Sequence, residues 1–225
     1  MRKAQGKTDA MDAEHIGRAL LAHPDRSPLS MPSWLVPLKD MVRTRQTLSK
    51  DLKAYRMRLN GAREQASREA LEAVIEVLKP KLKELDKQIE ATVKELAPQL
   101  LDVLGVGPVV ASVMLSQAGD INRFRNEDAF ASYSGAAPIF WQSGASSVVR
   151  VNHGGNRRLN WTLHIVALTR LRRDERTRRY FDRKVSEGKS KKSALRCLKT
   201  YIAREMYGHL RLLWNHENQG SILYA

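Results

Sequence analysis

The chain has 225 residues, 42% of them hydrophobic and 28% charged, enough to bury the core of one or two domains and too apolar for disorder throughout. A formal charge of +15 and a pI near 10.2 favour a polyanionic partner, because Lys and Arg gain affinity by displacing counterions from phosphates; an acidic membrane surface is the alternative. The absence of a run of about eighteen apolar residues or an apolar N-terminal signal core argues against spanning or secretion, and the lone Cys197 excludes an internal disulfide and a Cys-based zinc site, so a cytoplasmic location is expected.

Asp9 and Asp12 stand three apart at the head of a helical pattern that continues through Ile16, Ala19 and Leu20, which puts both carboxylates on one face of a first turn. Such a pair is a candidate for Mg²⁺, which takes one or two carboxylates together with phosphate oxygens; the same acids also serve simply to offset the helix macrodipole. None of the six His lies three to five residues from another, so a His-based metal site is not indicated. The stretch HPDRSPLSMP, with three Pro, marks a linker and closes a first segment at residues 1–31.

Over residues 32–98, Leu38, Met41, Leu48, Leu52, Tyr55 and Leu59 alternate three and four apart, with Arg45 as the one break, until Asn60-Gly61 turns the chain. Leu71, Ile75, Leu78, Leu82, Leu85 and Ile89 then resume the pattern. This predicts a coiled-coil hairpin of two antiparallel helices, with Pro80 kinking or dividing the second. Its apolar stripe calls for self-association or for docking on another domain.

The remainder, residues 99–225, reads as an all-α domain, so the whole chain is expected to be mainly α. Leu100, Leu101 and Leu104 precede Gly105-Val106-Gly107-Pro108 and a helix from Val109, a helix-hairpin-helix-like element in which Gly105 and Gly107 let backbone amides approach a DNA phosphate. An ordinary helix corner has the same letters. Asn126 is placed to cap a helix carrying Ala129, Phe130 and Tyr133. The stretch Tyr133 to Arg158 then holds four Gly and a Pro, which break helical and strand periods alike. Within it Ser143, beside Gly144, is one of four serines that either solvate the backbone or include a reaction centre. Phe140 and Trp141 nearby suit base stacking or core burial equally. Asn156 caps the next helix; Asp174 and Glu175 open one that carries Arg178 and Arg179. Lys191 and Lys192 begin the last helix, where they oppose the macrodipole unless an anion sits close by. From Pro138 onward there are 18 Lys plus Arg against 6 Asp plus Glu, a net +12 that leaves only +3 for the first 137 residues.

Taken in order, Lys7-Thr8-Asp9-x-x-Asp12-Ala13, the helical hairpin, LxxxxGVGP, SGAAPIFWQSG, HGGNRRLNWTLHIVALTR and RYFDRKVSEGKSKKSALRCLKTYIARE resemble the IS110/IS116/IS902 family of transposases over nearly the whole chain. The resemblance implies a DNA recombinase with an RNase H-like (RuvC-like) domain bearing four acids, then a coiled coil, then a domain with a nucleophilic serine. Asp9 and Asp12 match the last two acids, which bind Mg²⁺, and Ser143 matches the serine that attacks a DNA phosphodiester. Arg150, Arg157 and Arg158 are the nearest candidates to clamp phosphate or stabilise charge there. A structured guide RNA and a homo-oligomer built through the coiled coil are further implications. Met1 stands only eight residues before Asp9, so most of the RuvC-like domain is expected to be missing and the chain to lack complete transposition activity by itself. The competing expectations are a non-catalytic DNA- or RNA-binding partner of a full-length transposase and a metal-dependent nuclease built on Asp9 and Asp12.

Overall fold

The computed structural model describes residues 9–22, 32–143, 146–150, 152 and 154–221; for 9–12, 15–16, 19, 139–143, 146–150 and 216–221 the backbone alone is described. The chain divides into two compact units, Met1–Ser30 and Met31–Ala225. The first contributes α1 (Asp9–Ala22), with an exposed Arg18–Glu14 ion pair at 2.6 Å one turn apart. Lys7, Thr8 and the linker residues 23–31 lie outside the described residues.

In the second unit, α2 (Leu35–Gly61) and α3 (Gln65–Leu96) pack side by side and antiparallel, joined by a short turn that Arg68 closes by donating to the Ala62 carbonyl at 3.3 Å. Arg45, the break in the apolar spacing, reaches across to Asp86 at 2.5 Å, so its charge is met by the facing helix. Pro80 does not divide the second helix, which runs without interruption from Gln65 to Leu96. The ring removes one backbone donor on an exposed face, and packing of both halves of α3 on α2 outweighs that loss.

The near ends of this pair enter a core centred on α5 (Pro108–Ala118). Leu38 and Val42 from α2 and Ile89 and Val93 from α3 are buried with Val110, Ala111, Val113, Met114 and Leu115. A helix apolar on nearly all sides belongs inside, and α5 is covered on its other flank by α7 (Arg157–Arg173). The single turn α4 (Pro98–Leu101) leads into it, and α6 (Glu127–Tyr133) follows a 3₁₀ turn at Ile121–Arg123. A short basic helix, α8 (Glu175–Ser186), and the long α9 (Lys191–Ser221) complete the unit; Ile202 and Met206 of α9 join the core beside Leu163 and Val166 of α7. Among the described residues no helix is long and apolar enough to cross a membrane.

The mainly α expectation holds, with one addition. Where the glycine-rich stretch reads as irregular, the structure places an antiparallel hairpin of β1 (Ile139–Ser143) and β2 (Ser146–Arg150), in register from Ile139 opposite Arg150 to Ser143 opposite Ser146. The glycines fall outside both strands. Ile139-Phe140-Trp141 and Val148-Val149 are β-branched or aromatic, the types that suit a pleated backbone.

Gly105 is held in a left-handed conformation, φ +90°, against α7, where an added Cβ would stand 3.2 Å from the Val166 carbonyl oxygen. Gly105→Ala is expected to lower stability by about 1–3 kcal/mol through backbone strain and this close contact. Urea unfolding checks it: a lower midpoint at unchanged slope is expected, and an unchanged midpoint contradicts the packing role.

Candidate nucleic-acid site at the root of the serine hairpin

The β hairpin is held at its root by two backbone segments that touch. Gly135 has φ +70°, and a Cβ on Gly155 would lie 2.3 Å from the Gly135 Cα, so neither position has room for a side chain on that side. Asn152 donates to the Ser132 carbonyl at 2.8 Å and accepts from the Gly154 amide at 3.1 Å. Asn156 is used on every polar atom. Its amide nitrogen donates to the Tyr133 carbonyl at 2.7 Å, and its Oδ1 caps α7 by accepting from the amides of Arg158 and Leu159 at 3.0 and 3.1 Å. Its Nδ2 donates to the Gln117 Oε1 at 3.1 Å and to the Tyr133 hydroxyl at 3.3 Å. One turn along, the Asn160 Nδ2 donates to the carbonyls of Gly135 at 2.7 Å and Ser134 at 3.2 Å, while its Oδ1 accepts from Lys199. From α9, the Thr200 hydroxyl donates to the Ala136 carbonyl at 2.8 Å. Two helices thus fix the chain on both sides of the strands.

Charge is concentrated at this root. The Arg123 guanidinium lies over the rings of Phe124 and Tyr133, 4.5 and 4.6 Å from their centroids, contacts of about 0.5–1 kcal/mol each at such sites. Burial alone would raise the Tyr133 phenol, but the hydrogen bond from Asn156 and the charges of Arg123 and Lys39 together bring it below its ordinary value. Burial, then the neighbouring Arg196, push the Lys199 ammonium below the usual lysine range. Among the described residues it makes no ion pair with a carboxylate. Beside the root opens a cleft of about 400 Å³ whose walls include Asn152, Arg157, Asn160, Trp161, His164 and Lys199. Among the described residues no carboxylate lines it.

The residues singled out in the sequence are distributed as follows. Ser143 ends β1 opposite Ser146, and Arg150 ends β2 opposite Ile139; the side chains of both lie outside the described ones. So do those of Asp9 and Asp12, which stand in the first turn of α1 in the other unit. Arg157 lines the cleft, and Arg158 is exposed beside it in the first turn of α7. Gly107 is exposed as the residue preceding α5, with open space where a Cβ would stand, whereas Gly105 is packed on α7. On α8, Arg178 donates to the Arg172 carbonyl at 3.0 Å and Arg179 pairs loosely with Glu175 at 3.6 Å; Lys191 and Lys192 are exposed at the start of α9. Sequence reasoning passed over Asn160, Trp161 and the placement of Lys199. The available signal was the four-residue spacing of Asn156 and Asn160, which sets both on one face of α7. Among the described residues no group of three or more His, Cys, Asp or Glu converges as a metal site requires.

Residues 97–182, which include Ser143 and the cleft residues up to His164, match the model of the Transposase IS116/IS110/IS902 family. Two insertion-element proteins are similar to the chain. An uncharacterized 43.6 kDa protein of IS110 from Streptomyces coelicolor is 35% identical over 116 residues, 49% of this chain and 28% of that protein. An uncharacterized 44.8 kDa protein of IS116 from Streptomyces clavuligerus is 28% identical over 114 residues, 49% of this chain and 29% of that protein. The matched part of the chain thus spans less than a third of the length of either relative. The resemblance to this family read from the sequence is borne out over about half of the chain.

Gly155→Ala is expected to cost about 1–3 kcal/mol by forcing the two root segments apart, whereas Gly154→Ala, whose Cβ meets nothing nearer than 3.6 Å, stays within about 0.5 kcal/mol of the parent. Equal denaturation midpoints for the two variants contradict the contact. A second expectation follows from Lys199. Its folded pKa lies below the unfolded value of 10.5, so the unfolded chain holds the proton more tightly and the cost of the buried charge is fully present below the folded pKa. Wild type should therefore gain stability relative to Lys199→Met as pH rises through that pKa toward 10.5; a flat or falling difference contradicts it.

Proposed function

We propose, with the match of residues 97–182 to the IS116/IS110/IS902 transposases as premise, that this chain acts on DNA as part of a transposase and that Ser143 is its nucleophile. The observation that carries the reading is the place of Ser143 inside the matched segment, at the end of β1, on a hairpin whose root is clamped to α7 and α9. A nucleophile must be held in one place, and a loose loop would not do so.

The proposed step is a phosphoryl transfer. The Ser143 oxygen attacks a backbone phosphorus of DNA, the new phosphorus–oxygen bond forms as the bond to one sugar oxygen breaks, the serine proton passes to a base or solvent, and the released sugar oxygen takes up a proton. Attack by a strand hydroxyl on the serine phosphodiester reverses the step, so the number of phosphodiester bonds is conserved and no energy source is consumed. Positive charge near the reacting phosphate would stabilise the pentacovalent transition state; Arg150, Arg157 and Arg158 are the candidates, and because Arg150 is paired with Ile139 at the opposite end of the hairpin from Ser143, they suit neighbouring phosphates of the same strand better than the reacting one. Gly107 at the head of α5, Arg178 and Arg179 on α8, and Lys191 and Lys192 on α9 would contact phosphates along the strand without reading sequence.

Asp9 and Asp12 are proposed to hold Mg²⁺. Their side chains lie outside the described ones, and among the described residues no group of three or more His, Cys, Asp or Glu converges. A structured guide RNA would be a second polyanionic partner for the same basic surface. Association of copies through a coiled coil of α2 and α3 is supported by Met57, Val74 and Val77, which the pair leaves exposed.

Nicked DNA incubated with the chain and run on a denaturing gel tests the serine. A covalent protein–DNA adduct is expected, at least 100-fold reduced by Ser143→Ala and kept by Ser146→Ala and Ser147→Ala. Salt-sensitive DNA binding with no adduct, or an adduct indifferent to Ser143→Ala, overturns the assignment and leaves a nucleic-acid-binding module without chemistry.

A further inference from the structure

Trp161 is 47% exposed in the middle of a helix that otherwise buries Leu159, Leu163 and Val166. It stacks on no other ring among the described residues and stands in the wall of the 400 Å³ cleft. Across the same cleft, Lys199 is a half-buried cation beside Arg196 with no carboxylate to answer it among the described residues. An unanswered, partly desolvated charge costs free energy, which a bound anion would relieve. Its ammonium is aimed by Asn160, whose own groups are already spent on the hairpin carbonyls and on Lys199. Arg157, at the first position of α7, brings a second cation to the rim, and His164 one more donor or acceptor.

We infer that this cleft binds one unpaired nucleotide of a DNA strand, its base stacked on Trp161 and its phosphate between Arg157 and Lys199. This rests on the reading of the chain as a DNA-acting transposase. The ligand chemistry follows from the lining: cations for a phosphate, an aromatic face for a base, and no acid to repel either. The volume falls within the range of roughly 300–1,000 Å³ typical of small-ligand sites, and the cleft is open, as a passing strand requires. Bases inside a duplex have both faces covered by their neighbours, so stacking on Trp161 selects a nucleotide that has left the helix. Because Asn160 both aims Lys199 and holds the hairpin root, an occupied cleft would position the strand relative to the strands that carry Ser143.

The test measures binding of the full chain, by fluorescence anisotropy at fixed salt, to a duplex and to the same duplex with a three-nucleotide gap. Trp161→Ala is expected to weaken binding to the gapped DNA roughly tenfold and to the intact duplex less than about twofold, while Trp161→Phe keeps the preference for the gap. Arg157→Ala and Lys199→Gln should each lower the salt slope on gapped DNA by about one. Arg157 is exposed and makes no hydrogen bond or ion pair among the described residues, so it carries the charge test even if Lys199→Gln perturbs the fold. Wild-type affinity and salt slope in Trp161→Ala and Arg157→Ala overturn the cleft assignment. If the serine adduct still forms in that case, the cleft falls alone; if the wild-type chain binds neither DNA, the transposase reading falls with it.

Discussion

The approach of Gly135 to Gly155 is the constraint on which the C-terminal part of the molecule depends. Two chain segments meet there so closely that a Cβ on Gly155 would push the Gly135 backbone aside, while one on Gly135 would meet the Asn160 amide at 2.9 Å. The contact brings Ser134, Gly135 and Ala136 within reach of α7 and α9, and their carbonyls are then taken by Asn160 and Thr200. Backbone groups that leave regular structure near a core must find partners, and here side chains from two helices supply them. The hairpin that follows inherits its position from these bonds, since among the described residues its strands pair only with each other.

The positive charge of the C-terminal part is not one uniform field. Some basic residues are committed to structure: Arg170 makes a two-pronged pair with Glu205 at 2.6 and 2.7 Å and donates to the Leu104 carbonyl at 2.9 Å, and Arg204 pairs with Asp128 at 2.8 Å. Arg170 is largely buried in doing so, and its role is to tie the turn before α5 to α7 and α9. Arg157 and Lys199 differ because no carboxylate answers them among the described residues. A count of Lys and Arg merges the two kinds, although the second alone is available to a phosphate.

Much of the helical frame was legible in the sequence because periodicity and caps are local. The spacing from Leu38 to Ile89 predicted two helices, and Asn126, Asn156 and Asp174 each accept from backbone amides as helix caps. Pro80 misled in one respect, because its cost is local while the packing that keeps α3 continuous is not. The hairpin was hidden by the glycines of this stretch, three of which, Gly135, Gly154 and Gly155, lie at the root and say little about the five-residue strands. The cleft was less legible still. Asn160 and Lys199 are 39 residues apart, and only the packing of α9 on α7 brings them together. Ser143 itself was one serine among four, and the family resemblance, not its spacing, selected it.

Asn160 and its neighbours hold the hairpin root as a unit separate from the helical pair. Amide hydrogen exchange in Asn160→Ala tests it most directly. Protection should fall at least tenfold at residues 134–136 and 154–156 and in the two strands, with the amides of α2 and α3 unchanged. Unaltered exchange at the root, or an equal loss of protection throughout the second unit, would contradict this role of Asn160.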